Sequence, residues 1–571
     1  MSAVLADPFR YFPGAAYVDG YGTTWYYWFV EQVLAGKQSL GHSDRLFFPW
    51  GKDIYLHTGG NLLDAALIQP LRWLFGPVLS YNLWIVLVFL TNAWGATRVA
   101  AALGVPAAQR WPAMVLVTLS PFVLQEVEQG RPTQAMLLFP ALTLASLLDL
   151  SRWRDAVIAG LGLALSALTY WYAGLVLAAL AVPLGLLRAI SLGPVGLLRL
   201  VLAGGLALGL CLPVAFPMLQ ALEIGEVPGL LAMDGTGPLA PLAFRTEEGD
   251  AEGVFVLSLS GIGGSLFDVP TLSFRATSPL ILPAQAAVVL VTLLLGRWRG
   301  LGWLLGGLLI ATGPAWVIGS EILPNPVYLA VMSATDILRR WWWPARAVFV
   351  PTLVIAGLGA VAWAFRPTWA QGRLVSVLLG LGLVGSMLPS LHRASLIPFA
   401  RWDGAGSPVL DCLARAPEGG LIDLPLVGGQ ENLYFQTLHQ QPLLGGMLMK
   451  KPTFGPPELQ ALRSDNRFLA ALIEAGDRQF TREPVLDEPG RLALLGLGYR
   501  YVLVRLAAYE RIIEDRGRQE RDSDWPRVRR SLHPFLGEPQ AEDAIFAAYT
   551  LDDSPLDCAM EQAARSSPPP D

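Results

Sequence analysis

Residues 110 to 154 read RWPAMVLVTLSPFVLQEVEQGRPTQAMLLFPALTLASLLDLSRWR. Two apolar stretches, 112–126 and 133–150, flank a short acidic turn, and arginine closes both outer ends: Arg110 on one side, Arg152 and Arg154 on the other. A helix needs roughly 20 apolar residues to cross the hydrocarbon core, so the segment reads as a membrane hairpin with soft boundaries. Short cytoplasmic loops collect Lys and Arg. Both ends are therefore expected inside, and the turn Glu126 to Pro132 outside.

The same alternation continues in both directions. Spans are expected at 79–98, 112–126, 133–150, 156–171, 173–188, 200–219, 279–296, 300–318, 346–365 and 374–391, about ten in all. Arginines fall in every second loop: Arg98 and Arg110, Arg152 and Arg154, Arg188 and Arg199, Arg297 and Arg299, Arg366 and Arg373. Those loops are assigned to the cytoplasm. The complement lies outside: residues 1–78, the turns near Glu126 and Tyr170, the acid-rich loop 220–278, the loop 319–345, and everything after 392. Composition agrees, since only 15% of the 571 residues are charged and mean hydropathy is +0.45, which excludes a soluble enzyme of this size. A net charge of -5 excludes the basic face that a nucleic-acid binder needs. The three cysteines make no metal spacing; a Cys412 to Cys558 disulfide and two free thiols both remain open.

One consequence falls on the N-terminus. Asp7, Arg10, Asp19 and Glu31 interrupt every apolar window there, so Met1 opens neither a signal peptide nor a span. The expectation is a further helix upstream or a start codon assigned too late; the alternative is a short segment translocated without a signal.

Three outer features carry candidate chemistry. The first loop has Tyr17-Val18-Asp19-Gly20-Tyr21-Gly22 and then Trp25-Tyr26-Tyr27-Trp28-Phe29, aromatic enough for a helix in the headgroup layer. Asp19 is either a turn-forming residue before glycine or a carboxylate reaching a polar cavity. The second turn holds Glu126 and Glu128; carboxylates at a membrane boundary are costly and tend to face functional cavities. With Asp19 they could bind a divalent cation such as Mg or Mn, or one could act as general base toward a hydroxyl. The third is Arg339-Arg340-Trp341-Trp342-Trp343-Pro344-Ala345-Arg346, where Arg339, Arg340 and Arg346 break the charge rule. Such a cluster suits a lipid phosphate; the alternative is headgroup anchoring.

This arrangement resembles the GT-C superfamily of membrane glycosyltransferases. The likeness rests on Asp19 in a long first loop, Glu126-Val127-Glu128 in the second, the element Phe48-Pro49-Trp50-Gly51 and the pairs Gly76-Pro77 and Tyr81-Asn82. It extends to Leu421 to Pro425, Tyr434 to Pro442 and Leu497 to Val504, and so covers nearly the whole chain in short motifs. Some members carry histidines near the second loop, where this chain has Gln129-Gly130-Arg131. The resemblance implies a lipid bilayer setting, a polyprenyl-phosphate-linked sugar donor, and a glycan, lipid or protein acceptor. It makes Asp19 the catalytic acid or base, Glu126 and Glu128 acceptor or metal ligands, and Arg339, Arg340 and Arg346 the donor-phosphate site.

After about residue 400 the apolar runs stop and charge rises. Strands are expected at 420–426, 499–504 and 544–551, and helices at 456–475 and 507–518. His439 reads more naturally as a hydrogen-bonded structural histidine than as a catalytic one. The expected fold is an α-helical polytopic membrane domain of GT-C type followed by a soluble α/β domain. Its parts are a first external loop with interfacial helices (1–78), a transmembrane domain (79–395), an extracytoplasmic α/β domain (396–560) and a disordered tail (561–571). The expected site of action is the bacterial cytoplasmic membrane. The competing reading is a non-catalytic assembly factor or a transporter of lipid-linked glycans; the sequence shows no internal repeat of the kind transporters carry.

Overall fold

The computed structural model describes residues 7–14, 19–55, 62–224, 254–256, 274–276, 283–313, 315–318, 321–328, 330, 344–366, 368, 372–393, 399–401, 406–426, 430–446, 455–476, 487–515, 518–552 and 554–556. The chain forms two compact units. One is Met1–Phe9 with Thr58–Phe399; the other is Arg10–His57 with Ala400–Asp571.

The first unit is helical, and the chain is an integral membrane protein. Gln69–Ala102, Trp171–Ser191, Pro194–Gln220 and Pro344–Ala364 are long and apolar enough to cross a bilayer, and Gln285–Leu294, Leu301–Ala311 and Leu374–Met387 are shorter apolar helices. Val201, Leu208 and Leu198 stand exposed on the third of the long helices, as lipid-facing side chains do. Gln69–Ala102 is broken at Gly76, whose φ of 72° suits glycine, and Pro77 follows at the start of the second helical segment.

Several expected spans are interrupted. Residues 112–126 form two helices, Trp111–Thr118 and Pro121–Glu128. Ser120-Pro121 starts the second, with Ser120 Oγ accepting from Val123 N at 3.3 Å and Pro121 at the first helical position. Residues 133–150 likewise divide into Pro132–Ala135 and Leu138–Asp149. Buried Asn92 bridges that break: its Nδ2 donates to Ala135 O at 2.7 Å and its Oδ1 accepts from Leu137 N at 2.7 Å. Backbone leaves a helix at membrane depth only where partners satisfy it. The expected span 300–318 ends as a helix at Ala311, and Ala315–Ile318 pairs antiparallel with Glu321–Pro324. Gly313, at φ 73°, stops the helix, and the Asn325 amide donates to Leu309 O at 2.6 Å and Gly313 O at 2.8 Å.

Three arginines from two loops assigned to one membrane face meet at one helix end. Arg299 donates to Leu148 O at 2.6 Å, Arg188 to Asp149 O at 2.9 Å and Arg199 to Leu150 O at 3.2 Å, at the C-terminus of Leu138–Asp149. Cations there satisfy orphan carbonyls and oppose the helix dipole.

The second unit holds a four-stranded sheet in the order Ala541–Glu542, Phe546–Thr550, Tyr499–Arg505, Gly420–Leu424. The last two strands are parallel, with Val502 opposite Ile422; the other pairings are antiparallel. The expected helix 456–475 is two, Pro457–Asp465 and Arg467–Gly476, divided at Asn466, whose Oδ1 accepts from Leu469 N at 2.8 Å. The expected helix 507–518 is instead a strand, Glu510–Asp515, paired with Arg518–Ser523. Adjacent β-branched Ile512 and Ile513 favour that outcome.

The aromatic run of the first loop is corrected too. Helix Gly20–Leu34 packs on Glu431–His439 in this unit, and Trp25, Tyr27 and Phe29 are buried. Trp25 Nε1 donates to Gln436 Oε1 at 2.6 Å and its ring stacks on Phe29 at 5.4 Å, so the rings serve a protein core. Cys412 is disulfide-bonded and Cys211 is a free thiol; Cys558 lies outside the described residues.

His439 is fully buried, and its Nδ1 accepts from Gln441 N at 3.0 Å, a bond that a protonated ring cannot make. Burial holds the ring down to about 3. A histidine with a depressed folded pKa contributes stability that is complete above its unfolded value of about 6.5 and is lost as pH falls toward 3. Asp423 titrates in the opposite sense: burial raises it to about 6 despite Arg505 Nε at 3.0 Å, so its contribution falls as pH rises from 3.8 through that value. Comparison with His439→Asn isolates the histidine. Between pH 7 and pH 4 the native chain should lose about 3 kcal/mol more local stability than the variant. Hydrogen exchange of the Glu431–His439 amides measures this, and equal losses would contradict it.

Candidate active site

The first unit contains a narrow cleft lined in part by Phe122, Thr133, Tyr170, Ala173, Arg346 and Phe349. Three breaks in helical structure build it. Arg346 sits in the 3-10 turn Pro344–Val348 that feeds helix Phe349–Ala364. Tyr170 is an extended residue (φ -152°, ψ 106°) between helices Trp153–Thr169 and Trp171–Leu180. The third is the end of Pro121–Glu128, where Gly130 at φ 69° allows Gly130 N to bond Val127 O at 3.0 Å and Arg131 N to bond Glu126 O at 2.8 Å. This paired closure is a Schellman motif. It turns Arg131 back beside Glu126.

Glu126 thus lies between two guanidiniums. Its Oε1 is 3.5 Å from Arg346 Nε and its Oε2 is 3.6 Å from Arg131 Nη1, and all three side chains are at most 9% exposed. Arg346 Nη1 also donates to Tyr170 Oη at 3.2 Å. Arginine keeps its charge when buried and offers a planar fork to carboxylate or phosphate. Its placement in the cleft wall, steered by Glu126 and Tyr170, is suited to an anionic group.

The sequence candidates are distributed as follows. Glu126 and Arg346 come together. Glu128 is half-buried at the end of the same helix, where burial pushes its carboxyl above the usual range; two residues apart on a helix is about 200° around the axis, so the acids do not share a face. Arg339 and Arg340 lie outside the described residues. Asp19 belongs to the second unit, half-buried at the start of Gly20–Leu34. Among the described residues no three of His, Cys, Asp and Glu are grouped as ligands for a cation such as Mg or Mn, and the charged groups beside Glu126 are Arg131 and Arg346.

One carboxylate escaped sequence reading. Asp64, on the short helix Leu63–Leu67, is buried and its Oδ2 accepts from Thr133 Oγ1 at 2.6 Å. Thr133 lines the cleft. The available signal was a lone acid within the apolar run Leu62 to Ile68.

No family model matches the sequence, and no curated protein matches it. Among solved structures, the arabinofuranosyltransferase AftD from Mycobacteria is 16% identical with a TM-score of 0.56, over 95% of this chain and 38% of that one. The chain therefore spans well under half the length of that enzyme. ArnT from Cupriavidus metallidurans bound to undecaprenyl phosphate (12% identity, TM-score 0.44, 96% of both chains) is a looser likeness. So is AglB from Archaeoglobus fulgidus in complex with an inhibitory peptide and a dolichol-phosphate (12% identity, TM-score 0.40, 89% of this chain and 69% of that one). With its interrupted apolar helices and its α/β unit, the chain shares the fold of the arabinofuranosyltransferase AftD over 95% of its own length.

Proposed function

We propose that this chain is a membrane glycosyltransferase that moves a sugar from a polyprenyl-phosphate donor to a glycan, lipid or protein acceptor on the outer side of the bacterial cytoplasmic membrane. The observation that carries the reading is Arg346, a buried guanidinium set into the wall of the cleft and oriented by Glu126 and Tyr170. The GT-C fold supports it. Two features support an extracytoplasmic second unit: the arginine alternation, and the disulfide at Cys412, since such bonds persist in oxidising compartments.

In this reading the acceptor hydroxyl attacks the anomeric carbon of the donor sugar and the bond from that carbon to the phosphate oxygen breaks. Asp19 takes the hydroxyl proton as general base. The departing polyprenyl phosphate carries the electron pair, and Arg346, with Arg339 and Arg340, stabilises its charge. Glu126 fixes the direction of the Arg346 fork, and Glu128 serves the acceptor. A strain lacking the gene should accumulate undecaprenyl-phosphate-linked sugar in its membranes, measured by mass spectrometry of lipid extracts. An unchanged pool and an unchanged surface glycan would overturn the proposal.

A further inference from the structure

The start of helix Gly20–Leu34 departs from the usual chemistry of an aspartate in that position. Asp19 is the N-cap residue, and an N-cap aspartate ordinarily spends a carboxylate oxygen on the N–H of the second or third helical residue. Here it makes no such bond, and its backbone is helical (φ -63°, ψ -7°) rather than extended. The N–H of the third residue, Gly22, is bonded instead by Oε1 of Gln430 at 3.1 Å. The other end of the same amide, Nε2, donates to Asp19 Oδ1 at 3.3 Å. Because Gly22 N can only donate, it fixes which end of the amide is oxygen and so aims the NH2 group at the carboxylate. Gln430 immediately precedes helix Glu431–His439, which packs on Gly20–Leu34 and is tied to it by Gln436, bonded to the Trp25 indole at 2.6 Å.

We propose that Gln430, supplied by the C-terminal segment, is a positioning residue for Asp19: it caps the helix in place of the aspartate and thereby leaves the carboxylate to be held for proton transfer. The inference rests on the proposed role of Asp19 as general base and gives the C-terminal domain a part in that step. Two variants separate the two bonds. Gln430→Glu keeps an oxygen for Gly22 N–H but removes the donor to Asp19 and sets a negative charge beside it. Gln430→Ala removes both bonds and returns the cap to Asp19.

The test uses the full chain in detergent, labelled with a water-soluble carbodiimide and an amine between pH 4 and pH 8. Carbodiimide reacts with the protonated carboxyl, so the fraction modified at Asp19, read by peptide mass spectrometry, follows its ionisation. The Asp487 carboxyl in the same samples reports general unfolding. The expected result is more carbodiimide modification of Asp19 in Gln430→Glu than in the parent chain, because a negative charge then stands beside it, with modification of Asp487 unchanged. Both variants should also leave about tenfold more undecaprenyl-phosphate-linked sugar unconsumed in a complemented deletion strain. Unchanged Asp19 modification with normal sugar consumption in both variants, while Asp19→Asn is inactive, would overturn the role of Gln430 and leave the proposed function standing. Full activity of Asp19→Asn would overturn the role of Asp19 itself.

Discussion

Replacing Glu126 by alanine should cost the membrane unit about 3–5 kcal/mol, because it takes a buried carboxylate away from two buried guanidiniums. Arg131 and Arg346 both approach Glu126 within 3.6 Å and all three are buried, so water does not offset the loss. Arg346→Ala should cost less, since Glu126 then keeps Arg131. The double variant Glu126→Ala/Arg346→Ala should be less damaging than the sum of the singles by at least about 1 kcal/mol, as contacting charges in one network couple. Thermal unfolding of the full chain in detergent gives all four stabilities. Additivity within about 0.5 kcal/mol would mean that the arginine is not held by the acid.

The second large effect is on turnover. Asp19→Asn should lower sugar transfer by about 10²–10⁴-fold, the range for loss of general base catalysis, with thermal stability within about 1 kcal/mol of the parent chain. Asparagine keeps the shape of the side chain and an oxygen for the Gln430 amide, which donates at 3.3 Å. It cannot take a proton. Complementation of a deletion strain, read as the residual lipid-linked sugar pool, measures the loss; full rescue would remove Asp19 from the chemistry.

What the sequence disclosed and what it hid follow from the range of the forces involved. The arginine pattern is legible because the bilayer acts on every loop separately, and Arg188, Arg199 and Arg299 indeed meet at the end of one helix. The breaks at Ser120 and Met136 were harder, since apolar content hides them; the local sign was Ser-Pro in one case, whereas the other depends on Asn92 from a distant helix. The Trp and Tyr run of the first loop has a composition equally suited to headgroups and to a protein core. Only its partner Gln436, more than 400 residues away, decides between them.

The candidate site divides in the same way. Arg346 was visible as a charge on the wrong side of the rule, and Glu126 as an acid at a membrane boundary. Reading Glu126 and Glu128 as a pair assumed a loop geometry, but the segment is helical and turns them apart. Gln129-Gly130-Arg131, which in sequence is only a departure from the histidines of some GT-C members, is the motif that returns Arg131 to Glu126. Asp64 and Gln430 gave little sign, because a hydrogen bond to Thr133 or to Asp19 is a property of the folded chain.

The central claim is that the cleft of the membrane unit receives a lipid phosphate through Arg346. The direct measurement is binding of undecaprenyl phosphate and of undecaprenol, which lacks the phosphate, to the full chain and to Arg346→Ala in nanodiscs, by native mass spectrometry. Undecaprenyl phosphate should bind the parent chain at least about tenfold more tightly than undecaprenol, and Arg346→Ala should erase that difference, as loss of a charge-assisted hydrogen bond requires. Equal binding of the two lipids by the parent chain, or a phosphate preference that survives in Arg346→Ala, would contradict the account.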